Sequence, residues 1–212
     1  MPPEPLVLAF DTSAAHCAAA LLSGDRVLAL RHEPMDKGQA ERLMPMLTEM
    51  LAEAGITWRD LTCIGVGTGP GNFTGVRIAV AAARGLALGL GIPAVGVTSL
   101  EALAYGQDAP RLVTLDARRG AVYAQLFDGG MARACTLEAL PQAPPDVLCI
   151  GHRAAEVAAG VGGHVAEPAF AQTVAMAHIA LSRRATAPRP APFYLRGADA
   201  APPSDRPPVI LP

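Results

Sequence analysis

The apolar and polar positions of the first hundred residues switch between two periods. Leu6–Asp11 is an apolar run of strand length that ends on an aspartate. His16–Leu22 and Arg26–His32 repeat that length across short turns at Thr12–Ala15 and Ser23–Asp25, which predicts three consecutive strands. The period then changes to that of a helix over Gln39–Ala54. A buried strand is predicted at Cys63–Gly67, a helix at Thr74–Leu90 with Thr74 as its N-cap, and a strand at Pro93–Val97. Thr98 and Glu101 form a capping box that opens a helix toward Tyr105. The same order then returns in thinner form. Arg111–Asp116 is again a strand ending on aspartate, followed by strands at Ala121–Phe127, Met131–Thr136 and Val147–Gly151, and by helices near Arg153–Ala159 and at Thr173–Arg184. A strand, an aspartate and a turn occurring twice points to duplication of one α/β unit. The expected units are residues 1–105, 106–187 and a proline-rich extended tail at 188–212.

Two helical patterns stand out. Leu43, Met44, Met46, Leu47, Met50, Leu51 and Ala54 fall within an arc of roughly 160° at about 100° per residue, wider than the stripe of about 100° that packs a helix on its own core. Pro45 has to sit near the first turn or kink the helix. Between Thr74 and Leu90 the charges are Arg77 and Arg84 alone. Gly75, Ala79, Ala83 and Ala87 form a small-residue row that lets another helix approach closely, from this chain or from a partner. With two arginines and a short length, this helix is not a membrane span.

The loop between strand and helix, Gly65 to Arg77, carries the candidate chemistry. Alternating glycines entering a helix expose backbone N–H groups at the positive end of the helix dipole, an arrangement that suits a phosphate. The alternative reading is a tight turn that needs glycine for its backbone angles or close packing. Gly69, Gly71, Asn72, Thr74 and Arg77 are the candidate anion or nucleotide contacts. No lysine follows the glycines as a P-loop requires, since Lys37 is the only lysine, and the spacing is not that of a dinucleotide fingerprint.

Composition narrows the classes. In a chain of 212 residues with net charge −2, the basic excess of a dedicated nucleic-acid binder is missing. The N-terminus shows no signal-peptide pattern. Cys17, Cys63, Cys135 and Cys149 are scattered, so free thiols in a cytosolic protein are expected, not disulfides or zinc ligands. His16, His32, His152, His164 and His178 include no pair four apart on a helix, and no serine has an evident base.

Read together, Phe10-Asp11-Thr12-Ser13, Gln39–Pro45, Gly67–Arg77, Thr98–Leu103, Asp116–Tyr123 and Pro192–Arg196 closely resemble the bacterial TsaB (YeaZ) family, older members of which are called glycoprotease-like. The resemblance spans nearly the whole chain. It implies an actin-like ATPase (ASKHA) α/β fold of two RNase H-like halves of the βββαβα type, the second reduced. It also implies a role in forming threonylcarbamoyladenosine at position 37 of ANN-decoding tRNAs, as a non-catalytic subunit that dimerises with the catalytic paralogue TsaD, beside the ATPase TsaE. The family has a histidine where this chain has Gln39, which bears on local capping or interface detail and not on catalysis. The expected partner interface is Leu43, Met46, Leu47 and Met50 with Gly75, Ile78, Ala79, Ala82 and Ala83. Asp11, Thr12, Ser13 and Asp116 stand where catalytic relatives hold metal and phosphate, and are read here as relics that cap turns. The resemblance implies no catalytic residue, metal or cofactor of the chain's own. ATP or ADP is expected at the interface with TsaD, a homodimer when the chain is alone, tRNA contact only through the complex, and a cytoplasmic location without membrane contact. The alternative is an autonomous ATP-dependent phosphotransferase of the actin-like superfamily.

Overall fold

The computed structural model describes residues 4–127 and 129–195. Its first sheet holds β1 (Leu6–Asp11), β2 (His16–Ser23), β3 (Arg26–Pro34), β4 (Cys63–Gly67) and β5 (Ala94–Val97), in the order β3-β2-β1-β4-β5. β1 and β2 pair antiparallel, whereas β4 lies parallel to β1 and β5 to β4. The second sheet holds β6 (Arg111–Asp116), β7 (Val122–Phe127), β8 (Arg133–Cys135), β9 (Leu148–Gly151) and β10 (His164–Val165), in the order β10-β9-β6-β7-β8. The two orders correspond strand for strand, as the repeated pattern predicts. The two-residue β10 is too short to show a period in the sequence.

Helices α1 (Gln39–Glu53) and α2 (Phe73–Leu90) cover one face of the first sheet. Leu8, Phe10, Leu21, Ile64 and Val66 of the strands meet Leu43, Met46, Leu47, Met50, Val76, Ala79 and Ala83 there. This corrects the expected partner interface. Leu43, Met46, Leu47 and Met50 are buried in this chain's own core, as are Gly75, Ala79 and Ala83; only Ile78 and Ala82 are half-exposed. The wide arc of α1 is used up internally, because the helix lies on β2 and beside α2 at once. Pro45 sits within α1 on its exposed side.

The opposite face of the first sheet is closed by α5 (Gln172–Arg183). Its Val174, Ala175, Met176, Ala177, Ile179 and Ala180 pack on Val7, Ala9, Ala20, Leu22, Cys63, Val95 and Val97. The expected unit 106–187 therefore keeps the second sheet and α4 (Ala154–Val161), while α5 returns to the first sheet. α3 (Ser99–Ala104) bridges the halves: Ala102 joins the core under α5, and Leu100 and Ala104 pack on Val113 and Ile150 of the second sheet.

Two further details differ from expectation. The N-cap of α2 is Asn72, not Thr74: the Asn72 Oδ1 accepts the N–H of Thr74 at 3.0 Å and of Gly75 at 3.1 Å. The tail is also not free where it is described. Residues 187–195 run as a strap beside β5, with Pro190 buried against Gly96 and Phe193 N–H donating to Thr68 O at 2.8 Å. Residues 196–212 of the expected tail lie outside the described residues. α2 has the length and mean hydropathy (1.4) of a membrane span by composition alone, yet Val76, Ala79, Val80 and Ala83 bury its inner face on the sheet.

Candidate functional site

Two turns meet where β1 and β4 end, and glycine lets them touch. A Cβ on Gly67 would lie 1.9 Å from Asp11 Oδ1, one on Gly71 would lie 2.2 Å from Ser13 O, and one on Gly75 would lie 1.9 Å from Thr12 O. Hydrogen bonds zip the turns together. Thr12 Oγ1 donates to Gly75 O at 2.6 Å, and Asn72 N donates to Ser13 O at 2.6 Å. Ser99 N donates to Gly69 O at 2.8 Å, which ties α3 to the same loop.

Asp11 is fully buried. Its Oδ2 accepts from Ser13 N at 3.2 Å and Ser13 Oγ at 2.9 Å, and stands 2.8 Å from His16 Nε2. His16 Nδ1 in turn lies 3.3 Å from Nε2 of His32, so a chain of polar groups runs from the buried carboxylate to the surface. Oδ1 has no partner among the described residues. Ser13 Oγ is 3.4 Å from Ser99 Oγ. His16, His32 and Ser99 were not among the sequence candidates. The β1–β2 hairpin, which sets Asp11 opposite Ala18, is the signal that brings His16 within reach.

Asp116 occupies the matching end of β6 in a different state. It is exposed, and its Oδ1 accepts the Arg118 N–H at 2.8 Å, so it caps the turn after its strand. Arg77 forms no ion pair among the described residues. Its guanidinium carbon lies 3.7 Å above the Phe73 ring, and its Nε donates to the Tyr194 hydroxyl at 3.0 Å. Phe73 and Tyr194 themselves stand 4.9 Å apart, both partly exposed.

The actin-like fold implies phosphate and a cation near these turns, and the residues present do not fit them. The carbonyl oxygens of Thr12 and Ser13, which would repel a phosphate, face Gly75 and Gly71 between the turns. The Asn72 and Thr74 amides of the expected anion cradle are already donating within the chain. Asp11 Oδ1, a buried side-chain acceptor without a partner among the described residues, lies against the Gly67 backbone. No group of three His, Cys, Asp or Glu is gathered among the described residues. Gly67, Gly71 and Gly75 stand where the two turns pack closely.

α1 is fixed from outside by a charged lattice. Arg42 makes paired bonds of 2.7 Å to Glu33 of β3 and reaches Glu49 at 2.8 Å, while Arg31 contacts Glu49 and Glu53. The Arg42 hydrogen bonds, opposed by partial desolvation and assisted by Arg31, hold the Glu49 carboxyl down at about 2. Gln39 donates to Met35 O at 3.0 Å and so braces the entry to α1.

Residues 33–143 match the family model of TsaD, tRNA N6-adenosine threonylcarbamoyltransferase. The TsaB protein of Bacillus subtilis, a tRNA threonylcarbamoyladenosine biosynthesis protein, is 37% identical over 161 residues, covering 69% of this chain and 70% of that protein. The chain belongs to the TsaB/YeaZ family. TsaB of Escherichia coli is 38% identical over 122 residues, 55% of this chain, and the match spans about half (52%) of that protein's length. Among solved structures, a Pseudomonas aeruginosa protein described as similar to peptidase YeaZ superposes with TM-score 0.70 at 28% identity, over 91% of this chain and 100% of that one. Component A of the (R)-2-hydroxyglutaryl-CoA dehydratase of Acidaminococcus fermentans superposes with TM-score 0.54 at 10% identity, covering 86% of this chain and 100% of that chain, and shares the two-sheet ASKHA architecture alone.

Proposed function

We propose that this TsaB-family chain is the non-catalytic subunit of a cytoplasmic assembly that forms threonylcarbamoyladenosine in tRNA, and that it works by docking on a TsaD-type relative. One observation carries the reading: the outward side of α2 stays open although Arg77 and Arg84 are its only charges. Ala81, Gly85, Leu88 and Gly89 are exposed there, beside half-exposed Ile78 and Ala82. Met44 is 38% exposed on α1, the helix beside α2. Small residues on an open helix permit close approach of a second helix, and its apolar area adds association energy. The partner interface is therefore this outer face, in place of the buried positions expected from the sequence. In the absence of TsaD the same face serves a homodimer, so the two associations compete. A TsaE-type ATPase joins through the assembly, and tRNA is contacted through it. ATP or ADP, where the assembly binds it, meets this chain at Arg77 at the open start of α2, not between the closed turns. Co-purification with the TsaD of the same organism, followed by a tRNA modification assay with and without this chain, tests the proposal. Full modification by TsaD and TsaE alone, or no association with TsaD, overturns it.

A further inference from the structure

At the end of α2 away from the paired turns, the surface encloses a cavity of about 410 Å³. Its wall is aliphatic: Ala87 and Leu88 come from the last turn of α2, and Ile92 and Pro93 from the turn into β5. Arg84 and Arg189 are its charged lining residues, and no carboxylate lines it among the described residues. The two arginines come from separate parts of the fold. Arg84 stands one helical turn before Leu88, and Arg189 sits on the strap that Pro190 and Phe193 anchor to the first sheet.

Neither guanidinium makes an ion pair, a hydrogen bond or a ring contact among the described residues. Arg31, Arg42, Arg153 and Arg183, by contrast, each hold a glutamate. Leu88 keeps 83% of its surface in solvent at the edge of the cavity. A mostly apolar hollow with a few orienting polar groups is the usual form of a small-molecule site, and its volume lies within the range of about 300–1,000 Å³ common for such sites. Guanidinium groups match a carboxylate with paired, charge-assisted hydrogen bonds.

We propose that this cavity binds a small amphipathic carboxylate, with an apolar body of acyl-chain size over Ala87, Leu88 and Ile92 and its anionic end held by Arg84 and Arg189. The anchored strap sets Arg189 before the ligand arrives, so little ordering is needed on binding. The site goes beyond the role in tRNA modification and does not depend on it, because its test needs neither TsaD nor tRNA.

Decanoate is the probe, titrated calorimetrically into the purified full chain, with decanol and decylammonium as matched neutral and cationic arms. Decanoate is expected to bind a single saturable site with Kd on the order of 0.1 mM. Arg84→Gln and Arg189→Gln should each weaken it about tenfold, and Ala87→Trp should abolish it by filling the hollow. Arg59→Gln, an exposed change elsewhere, should leave it unaltered. Circular dichroism melting checks that each variant is folded. No decanoate binding up to about 1 mM, equal binding of decylammonium, or wild-type affinity in the double glutamine variant overturns the proposal.

Discussion

A single methyl group placed at two points of α2 should have opposite effects. At Gly75 the new Cβ would lie 1.9 Å from the carbonyl oxygen of Thr12, a backbone atom with no rotamer to change. Ordinary contact needs about 3.3 Å or more, so helix and turn have to separate by more than about 1 Å. Overpacking of this kind costs about 1–3 kcal/mol. The separation also breaks the 2.6 Å bond from Thr12 Oγ1 to Gly75 O, and leaving that buried pair unsatisfied adds about 1–3 kcal/mol. Gly75→Ala should therefore destabilise by about 2–6 kcal/mol. At Gly85 nothing lies within 4 Å of the added atom. The site is mid-helix and exposed, so Gly85→Ala should stabilise by about 0.5–1 kcal/mol through helix propensity and a less free unfolded chain. Urea denaturation followed by circular dichroism reads both. With a slope of about 2 kcal/mol per molar urea, the midpoint falls by roughly 1–3 M for the first variant and rises by a few tenths for the second. Equal midpoints for Gly75→Ala and wild type would refute the claim that these glycines exist for the contact between turns.

The proposed interface separates two methionines two positions apart: Met44→Glu should leave the melting temperature near wild type and weaken self-association in sedimentation, whereas Met46→Glu, buried in the core, should unfold the chain. If Met44→Glu sediments as wild type does, the outward face is not the contact. Acid should loosen α1 from β3. The Glu49 carboxyl is held at about 2 in the fold against an ordinary 4.5, so its contribution is complete above 4.5 and disappears as pH falls through about 2. Glu49→Gln should flatten the loss of thermal stability in that window. Thiol labelling of the native chain at pH 8 should modify Cys135 first, because Cys17 and Cys63 are buried and desolvation pushes both thiols up to about 11.

The strands were legible because strand length and turn residues coincide at each boundary, and β1, β4 and β6 carry the bounds their apolar runs predict. The capping box of Thr98 and Glu101 was readable for the same local reason. What failed to show was destination. The apolar arc of α1 says that a wide face is covered, not whether β2 and α2 or another molecule cover it. α5 is apolar on most sides, yet nothing within Thr173–Arg184 says which sheet it returns to. Asn72 lost to Thr74 as the expected cap because both residue types cap helices well, and only the backbone decides which is in place. Within the site, the Asp11–Ser13 contact is local to a turn, while Ser99 and Tyr194 arrive from distant positions that no spacing rule connects to Asp11 or Arg77.

The return of α5 also orders events in time. The inner face of the first sheet, from Val7 to Val97, is made long before Val174–Ala180, the residues that cover it. At ordinary synthesis speeds the ribosome needs on the order of ten seconds to reach them. During that interval an emerging chain presents a bare aliphatic sheet, and its β4–α2 loop still lacks the support of Phe193 and Tyr194. α5 is therefore seated last, and until it arrives the aliphatic face it covers is bare to other chains.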